Sequence, residues 1–398
     1  MHILLVADGR SPNARRWMQG ILALHHRLTL VSSYPCPPLE GLEALHILPV
    51  AFARHAGSQV RQAGAGAPSR IKKLARAMLG DLRYALGPLT LPFYARRLNK
   101  LAAQIRPDVV HALRIPFEGM LATAAQLTFP LAVTIWGNDL TLHATRSRLM
   151  RKWTSRTLRR ANGLIADTQR DIRLAQSWGY QKERPWAVLP GGGGVDLVEM
   201  HRLVDEKNMS VGLDLPPDAV VIINPRGFRP GSVRNDVFFE AIPLVVQRNP
   251  NVIFLCAAMA GQPEAEHWVR RLNIEQHVRL LPYLPQTDLW RLFDIAHISA
   301  SISAHDGTPN SLLEAMAMGC FPVAGDIESL REWITPGVNG LLVDATTPQA
   351  TAEALLLAAG SPELRARAAA VNLERLAARA EVNLVRTQME VFYQRLAG

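Results

Sequence analysis

The sequence predicts an α/β protein of two doubly wound parallel sheets, and three observations support this. The chain has 398 residues, more than one hydrophobic core usually organises, which indicates two domains of roughly 150–200 residues each. Short apolar runs alternate with longer amphipathic ones, a pattern typical of parallel sheets covered by helices. The alternation stops at a polar stretch near 205–218 and then restarts, so we expect one sheet on each side of it.

The apolar run at 2–7 predicts the first buried strand, and an amphipathic helix is predicted at 12–25. Further strands of the first half are predicted at 28–33, 108–112, 131–136, 163–167 and 186–189. Those of the second half are predicted at 219–224, 252–257, 278–281 and 295–300. The resulting division is an N-terminal domain over 1–205, a C-terminal domain over 206–375, and a helix at 376–398 that packs back on the N-terminal domain.

The composition is that of a folded globular protein, with 48% hydrophobic and 20% charged residues. No apolar run approaches the roughly 18 residues that span a bilayer, and the opening MHILLVADGR lacks a signal-peptide pattern, which predicts residence in the cytoplasm. The cysteines are far apart and form no CxxC pair, so neither a disulfide framework nor a zinc site is expected. They are Cys36, Cys256 and Cys320.

The formal net charge of +10 is concentrated in the N-terminal half. Residues 54–100 contain ten Lys and Arg against one acid, and residues 146–160 contain seven and no acid. The first segment also carries an apolar stripe at helical spacing, formed by Leu74, Met78, Leu79, Leu82, Tyr84 and Leu86. The pattern is compatible with a solvated helix or with a peripheral contact on the anionic inner face of the cell membrane. No nucleic-acid partner is expected, because no recognised binding motif accompanies the charge. The Gly/Ala/Ser-rich stretch 57–69 predicts a mobile loop.

The segment 305–319, HDGTPNSLLEAMAMG, carries the strongest signal for a functional site. It follows a predicted strand and so lies where parallel sheets bind ligands. Gly307 suits a sharp turn, Thr308 a helix N-cap and Pro309 a first helical position. Free amides at the helix start would bind an anion, and a carboxylate one turn on would bind ribose hydroxyls. The amides are those of Asn310, Ser311 and Leu312, and the carboxylate is that of Glu314. The alternative is a well-capped core helix without a ligand.

These residues resemble the signature of the retaining glycosyltransferases of family 4, in which two acidic residues are separated by seven others. The pair in this sequence is Asp306 and Glu314, with Asp where the family usually has Glu. The resemblance implies the GT-B fold, in which two Rossmann-like doubly wound parallel-sheet domains face a central cleft. It also implies that both carboxylates bind the donor. The segment 319–334 is similar to the family's next strand and helix.

A basic element is expected as well, because a departing nucleotide diphosphate must be neutralised. The predicted strand 219–224 runs into PRGFRPGSVRND, and the family's pattern has an arginine just after this strand and a lysine several residues later. Arg226 matches the first position, and Arg234 matches the second with a longer loop and Arg in place of Lys. Arginine forks hold phosphate oxygens through two bonds. For both residues the alternative is an exposed loop position, and Arg229 is interpreted as solvated.

Three other segments resemble donor-side loops of the family. Gly9, in ADGRSP (7–12), permits close approach of a ligand or forms a plain turn. Gly194, in PGGGGVDL (190–197), lines the phosphate site or belongs to a hinge; this segment resembles the family's Pro-Asn-Gly-Val-Asp turn. Tyr283 and Leu284 occupy the place where the family's backbone usually meets the nucleobase.

Two segments, DVVHALRIPFEG and TIWGND, are similar to acceptor-side loops of the family. Many members have a histidine before the glycine of the second segment, where this sequence has Trp136, so the resemblance supplies no base there. His111 and Asp139 are candidates for lining the acceptor pocket. His111, like His143, is equally compatible with a structural histidine whose ring nitrogens are satisfied inside the fold.

The resemblance implies a retaining, metal-independent transfer of a sugar from a UDP- or GDP-type nucleotide-diphosphate sugar to an acceptor hydroxyl, without a further cofactor. A glycan or glycolipid acceptor, in glycolipid or cell-surface polysaccharide synthesis, fits the basic N-terminal half. Three alternatives remain open. A sugar-nucleotide epimerase of the same fold would act without an acceptor. A catalytically silent nucleotide-sugar-binding subunit is suggested by Trp136 and Asp306. A membrane scaffold would explain the charge but not the segment 305–319.

Overall fold

A computed structural model describes residues 1–53, 82–205 and 212–398. The strands are β1 (His2–Ala7), β2 (Arg27–Ser32), β3 (Ala44–Ile47), β4 (Val109–Leu113), β5 (Leu131–Ile135), β6 (Gly163–Ala166), β7 (Trp186–Val188), β8 (Val220–Asn224), β9 (Val252–Cys256), β10 (Val278–Leu280), β11 (Ile298–Ser301), β12 (Phe321–Gly325) and β13 (Leu341–Val343). The expected loop at 57–69 and the first part of the apolar stripe (Leu74, Met78, Leu79) lie outside the described residues.

The helices are α1 (Pro12–Ala23), α2 (Leu91–Ile105), α3 (Met120–Ala124), α4 (Arg148–Arg160), α5 (Gln169–Ser177), α6 (Leu197–Asp205), α7 (Asn235–Arg248), α8 (Pro263–Arg271), α9 (Gln286–Ile295), α10 (Asn310–Ala317), α11 (Glu328–Arg331), α12 (Pro348–Ala359), α13 (Pro362–Arg379) and α14 (Val382–Ala397). Shorter helical turns occur at 82–86, Gly87–Thr90, Ile115–Gly119 and Asp139–His143.

The chain folds into two compact units. The described part of the first unit comprises residues 1–53, 82–194 and 382–398, and that of the second comprises 195–205 and 212–381. The boundaries therefore fall at 194/195 and 381/382, whereas the sequence placed them at 205/206 and 375/376. Val195 already belongs to the second unit, because its amide donates to the Ala380 carbonyl at 2.7 Å.

The first unit is a seven-stranded sheet in the order β3-β2-β1-β4-β5-β6-β7, and every neighbouring pair is parallel. Its central strands β1, β4, β5 and β6 are buried on both faces, as expected where helices cover both sides of a parallel sheet. Successive residues alternate between two cores; Leu4 and Val6 belong to one, Ile3 and Leu5 to the other. Helix α14 covers the second core with Val385, Met389, Phe392, Tyr393 and Leu396.

The second unit is a six-stranded parallel sheet in the order β10-β9-β8-β11-β12-β13. Its two faces are covered by separate cores, one containing Phe238 and Phe254 and the other Leu313 and Met316. The predicted fold class, two Rossmann-like doubly wound parallel sheets, is confirmed.

The expected strand at 295–300 begins too early, since Ile295 is the last residue of α9 and β11 starts at Ile298. β3 and β13, which no apolar run predicted, have only four and three residues and are mostly half-exposed. No helix among the described residues has the length and apolar character needed to cross a bilayer.

Candidate active site

The second unit places a candidate site where its strand order reverses. β8 pairs with β9 on one side and with β11 on the other, so the chain leaves these two central strands in opposite directions. Open α/β sheets bind ligands in the crevice beyond the carboxyl ends of such strands. The loop after β8 contains Arg226 and Arg229, and the loop after β11 contains Asp306 and leads into α10.

Gly325 fixes the course of the loop after β11. A Cβ atom at this residue would lie 2.0 Å from the Ser303 carbonyl oxygen, closer than any real contact, so only glycine lets the loop cross β12 here. Hydrogen bonds then fasten the loop to its surroundings. Ser232 Oγ donates to the His305 carbonyl at 2.6 Å, and Ser329 Oγ donates to the Asp306 carbonyl at 2.8 Å. Asp306 is thereby held at a defined position.

Arg226 and Asp306 meet beyond β8 and β11. Arg226 Nη1 lies 2.6 Å from Asp306 Oδ2, and the two side chains are 7% and 13% exposed. The contact lacks the angle of a hydrogen bond, so its attraction is Coulombic. A buried pair of amides positions the arginine: Asn224 Nδ2 donates to Asn235 Oδ1 at 3.1 Å, and Asn224 Oδ1 accepts the Arg226 amide at 3.2 Å. Two sequence-predicted site residues are thus brought together.

Arg229 lies beside this pair, although the sequence indicated a solvated residue without a role. Its side chain is exposed, and its Nε donates to the Arg226 carbonyl at 3.4 Å. The positive charge of Arg226 lowers the pKa of the Arg229 guanidinium, whereas Asp306 and Tyr283 act in the opposite direction. Two guanidinium groups therefore share one nearby carboxylate. Such an excess of positive charge suits an anion with more than one negative charge.

Arg234 precedes α7 and is held by a carboxylate. It binds Asp236 through Nε at 2.9 Å and Nη2 at 2.7 Å. The Asp236 hydrogen bonds raise the pKa of the Arg234 guanidinium. The Arg234 amide donates to the Ile302 carbonyl at 2.8 Å, which ties its backbone to the start of the loop that contains Asp306. The expectation that Arg234 is the second phosphate contact stays a prediction.

The start of α10 differs by one residue from the sequence expectation. Pro309 is the N-cap and Asn310 the first helical residue, whereas Thr308 was expected to cap the helix. The Thr308 hydroxyl instead accepts the Trp333 indole N–H at 3.0 Å. The Leu312 amide is also not free, since it donates to the Pro309 carbonyl at 3.0 Å. The Ser311 amide has no partner within the described residues, and the helix start keeps its positive end.

Gly307 lies at a bend of the chain, as the sequence suggested, and adopts it without a left-handed conformation. Its amide donates to Asp306 Oδ1 at 3.0 Å. This bond fixes the orientation of the carboxylate that faces Arg226.

Glu314 lies in the first turns of α10 and is 3% exposed. Gln286 Nε2 donates to Glu314 Oε2 at 2.9 Å, which ties the first residue of α9 to this helix. The loop between β10 and α9 contains Tyr283, whose side chain is 66% exposed, and the half-buried Leu284. Gln286 was missed by sequence reasoning, because a single glutamine after a proline carries no recognisable signal.

In the first unit, Gly9 and Gly194 have structural roles. Gly9 is buried, its amide donates to Ser32 Oγ at 3.1 Å, and an added Cβ would lie 2.4 Å from Cys36 Sγ. Gly194 ends a run of four glycines that all have positive φ, between 59° and 119°, a conformation that favours glycine.

His111 is a buried structural residue and does not line a pocket. It is 0% exposed, Nδ1 shares a hydrogen bond of 2.7 Å with the Tyr393 hydroxyl, and Nε2 shares one of 2.7 Å with Thr134. Burial lowers its pKa to about 3, so the ring is neutral. His143 stacks on Tyr84 and shares a hydrogen bond of 2.9 Å with its hydroxyl, and burial lowers the pKa of His143 to about 4.

Asp139 is also fully buried, and Arg114 covers it. Arg114 Nη2 donates to Asp139 Oδ1 at 2.6 Å, and the Trp136 amide donates to Oδ2 at 3.2 Å. The Arg114 guanidinium lies 5.7 Å from the centre of the Trp136 ring. Arg114, which is 32% exposed, is therefore the group that this site presents to a ligand, and Asp139 holds it.

Within the described ranges, no group of three or more His, Cys, Asp and Glu side chains is arranged to hold a metal ion.

Two Rossmann-like doubly wound parallel sheets define a protein of the GT-B fold class. The comparisons identify the family. Residues 9–192 match the family described as glycosyl transferase 4-like domain, and residues 231–372 match glycosyl transferases group 1. The chain belongs to the group 1 glycosyltransferases of family 4.

The D-inositol 3-phosphate glycosyltransferase of Corynebacterium urealyticum is 27% identical over 208 residues, which are 49% of this chain and 48% of the relative. The match thus spans about half the length of that relative. Among solved structures, sucrose-phosphate synthase from Thermosynechococcus elongatus has a TM-score of 0.73 at 16% identity, covering 100% of this chain and 99% of the other. Anabaena HepE in complex with UDP-glucose has a TM-score of 0.69 at 15% identity, with 100% of both chains covered. These two structures are similar in fold.

Proposed function

We propose that the protein transfers a sugar from a nucleotide-diphosphate sugar to an acceptor hydroxyl, with retention at the anomeric carbon. The observation that carries the proposal is the grouping of Arg226, Arg229 and the start of α10 around one crevice, with Glu314 one turn into the helix. The guanidinium groups and the helix start suit a diphosphate. The Glu314 carboxylate suits ribose hydroxyls, and in doing so it would exchange its bond to Gln286 for bonds to the ligand.

The proposed step breaks the bond between the anomeric carbon and the β-phosphate oxygen and forms a bond from that carbon to the acceptor oxygen on the same face. The acceptor proton passes to the departing phosphate. Negative charge on the diphosphate grows as the bond breaks, and Arg226 and Arg229 are the groups placed to stabilise it. Asp306 holds Arg226 in position and contacts the donor sugar. We assign no base in the protein, because Trp136 stands where the family often has histidine.

We further propose that the reaction is metal-independent and that the donor is of the UDP or GDP type, without another cofactor. The two guanidinium groups would supply the positive charge that a divalent cation supplies elsewhere. Solved relatives of the same fold carry UDP and UDP-glucose, which favours UDP as the first nucleotide to test.

A glycolipid or cell-surface polysaccharide acceptor at the inner face of the cell membrane is part of the proposal. Helix α4 carries a row of exposed basic residues, namely Arg148, Arg151, Lys152, Arg156 and Arg159. It contacts the turn at 87–90, and exposed apolar side chains lie on this neighbouring segment, with Leu89 63% and Phe93 57% exposed. Basic and apolar groups side by side suit an anionic lipid surface.

The transfer proposal is tested by thermal-shift titration with UDP, GDP and their sugars. The products of reactions that contain excess EDTA are then separated by chromatography. We expect one nucleotide to raise the Tm and its sugar to be consumed in the presence of EDTA. Glu314→Gln should lose the shift, and Glu353→Gln, the same change at an exposed position on α12, should keep it. Isomerised donor without transfer would support an epimerase, and binding without turnover would support a silent subunit.

The membrane proposal is tested by co-sedimentation with vesicles of phosphatidylcholine alone or mixed with phosphatidylserine. Binding should need the anionic lipid and weaken with salt. The Arg151→Gln/Lys152→Gln variant should bind less than Arg270→Gln/Arg271→Gln, which removes two exposed basic residues from the second unit. Equal binding to neutral vesicles would contradict the electrostatic account.

A further inference from the structure

The first unit has its own strand-order reversal, and arginines gather there too. β1 pairs with β2 on one side and with β4 on the other, so the crevice lies beyond these two central strands. Arg10 follows β1 and Arg114 follows β4. Arg83, from the helical turn at 82–86, joins them. Arg10 and Arg83 lie against Tyr34, and Arg83 also lies against Phe117. The charges of Arg83 and Arg114 both act on Glu118.

Aromatic rings hold the guanidinium groups in place. The Arg10 guanidinium lies 3.5 Å from the centre of the Tyr34 ring, and that of Arg83 lies 5.1 Å from the same centre. Arg83 also lies 4.5 Å from the centre of the Phe117 ring, and its Nη1 donates to the Tyr34 hydroxyl. Stacked guanidinium groups are pre-organised, so a ligand that binds them does not have to order them first.

The backbone supports this arrangement at a conformational cost. Arg114 has φ 101° and Phe117 has φ 70°, both in the left-handed region that non-glycine residues avoid. These two residues bring one guanidinium onto Asp139 and one ring under Arg83. Strain of this kind, within one turn beside a crevice, is typical of ligand sites.

The charges in this crevice do not balance. Asp8 pairs with Arg10 at 3.0 Å, and Asp139 pairs with Arg114 at 2.6 Å. Glu118 is 4% exposed and accepts a hydrogen bond from Ser33 Oγ, and burial raises its pKa to about 7, so it carries only part of a charge at neutral pH. Among the described residues Arg83 forms no direct ion pair, although its charge acts on the nearby Glu118, and its Nε is buried without a hydrogen-bond partner there. Because Glu118 carries only part of a charge, the positive charge of Arg83 is not fully balanced, and its guanidinium group is already fixed in direction.

We propose that this crevice binds a phosphate group carried by the acceptor, with Arg83 as its main contact and Arg114 and the Tyr34 hydroxyl beside it. Guanidinium forks match phosphate oxygens and remain charged at any physiological pH. The term acceptor rests on the proposed transferase function, but the phosphate site itself does not. The phosphate has two possible sources, a soluble sugar phosphate or a lipid phosphate, and both present the same group to Arg83.

The test is a calorimetric titration with inorganic phosphate at constant ionic strength, on protein first saturated with UDP so that the donor crevice is occupied. We expect saturable binding that Arg83→Gln weakens at least about tenfold, the effect of losing one charged hydrogen bond. Arg97→Gln is the matched control, because Arg97 also stacks on an aromatic ring, Phe93 at 4.7 Å, but lies on the exposed face of α2. The control should bind phosphate like the wild type.

Arg83→Lys keeps the positive charge but loses the two-pronged guanidinium group, so it should bind phosphate with intermediate affinity. This variant also keeps the test possible if Arg83→Gln does not fold. Glucose 6-phosphate and water-soluble dihexanoyl phosphatidic acid, titrated in the same way, distinguish the two sources by which binds more tightly. Equal phosphate affinity in the wild type and Arg83→Gln would overturn the proposal, as would a wild type that binds UDP but no phosphate. Loss of UDP binding in the wild type would instead contradict the proposed function.

Discussion

Replacing Arg226 by Gln should destabilise the ligand-free protein, because the Asp306 carboxylate, 13% exposed, then loses its cation. Breaking a buried ion pair from one side costs about 3–5 kcal/mol. We expect a value near the lower end, since the 2.6 Å contact lacks hydrogen-bond geometry. For a unit of this size, about 3 kcal/mol lowers the Tm by about 6–12 °C. The Arg226→Gln/Asp306→Asn double variant should recover part of this loss, because neither charge is left alone.

The same variants should affect UDP affinity differently. Arg226→Gln removes a charged hydrogen bond to phosphate, worth about 1.5–3 kcal/mol, and should weaken UDP binding by roughly 10- to 150-fold. Asp306→Asn frees the guanidinium from its carboxylate, so UDP should bind as tightly as before or more tightly, even though the ligand-free protein is less stable. Stability and affinity therefore change in opposite directions in this variant.

The assay is calorimetric titration with UDP and thermal unfolding without it, on the wild type, the two single variants and the double variant. Arg271→Gln serves as control, since this arginine at the end of α8 is exposed and pairs with Glu240 at 3.2 Å. Wild-type UDP affinity in Arg226→Gln would refute the phosphate role of this arginine. An equal loss of affinity in Asp306→Asn would refute the idea that the carboxylate only holds the arginine for the nucleotide.

Three further predictions concern other residues. Gly325→Ala should lower the free energy of unfolding by about 1–3 kcal/mol and weaken UDP binding, because its Cβ would displace the loop at Ser303. Gly360→Ala, where an added Cβ makes only ordinary contacts, should do neither. Similar denaturation midpoints for these two variants would contradict this. Burial raises the pKa of Glu118 from 4.5 to about 7, so its folded-state carboxyl keeps a proton that the unfolded chain loses. As the pH rises from about 4.5 to 7, the wild type should therefore lose up to about 3 kcal/mol of stability relative to Glu118→Gln, measured by urea unfolding. A stability difference that does not vary with pH would count against it. Glu314→Gln should weaken UDP binding about tenfold or more but leave binding of inorganic pyrophosphate unchanged, and a parallel loss of both would remove its ribose role.

Much of the fold follows from patterns that act locally. Each long buried strand is an apolar run, so β1, β4 and β8 were predicted within one or two residues. β3 and β13 have no such run, because they lie at the edges of their sheets and are mostly half-exposed. Their pairing depends on the neighbouring strand rather than on their own residues.

The candidate site was predictable where one segment supplies it and not where distant segments meet. The segment 305–319 revealed α10 and its two acidic residues, and Arg226 followed from its strand. Gln286 reaches Glu314 from 28 residues away, and Arg229 joins the cluster only through the fold of its loop. For His111, the sequence could not show that Tyr393, 282 residues away, would satisfy its ring.

The arginine crevice of the first unit was missed for the same reason. Arg10, Arg83 and Arg114 are far apart in sequence and come together only around Tyr34, Phe117 and Glu118. The basic bias of residues 54–100 pointed to an anionic partner. It did not show that Arg83, one of these basic residues, would stack on aromatic rings in a crevice.

A crystal structure of the protein with UDP is the most direct test of the central claim. The account predicts the β-phosphate oxygens about 2.7–3.2 Å from the guanidinium nitrogens of Arg226 and Arg229, beside the start of α10, and the ribose hydroxyls on Glu314 in place of Gln286. UDP bound elsewhere on the second unit, or a crevice that stays closed by the Arg226–Asp306 pair at saturating UDP, would contradict it.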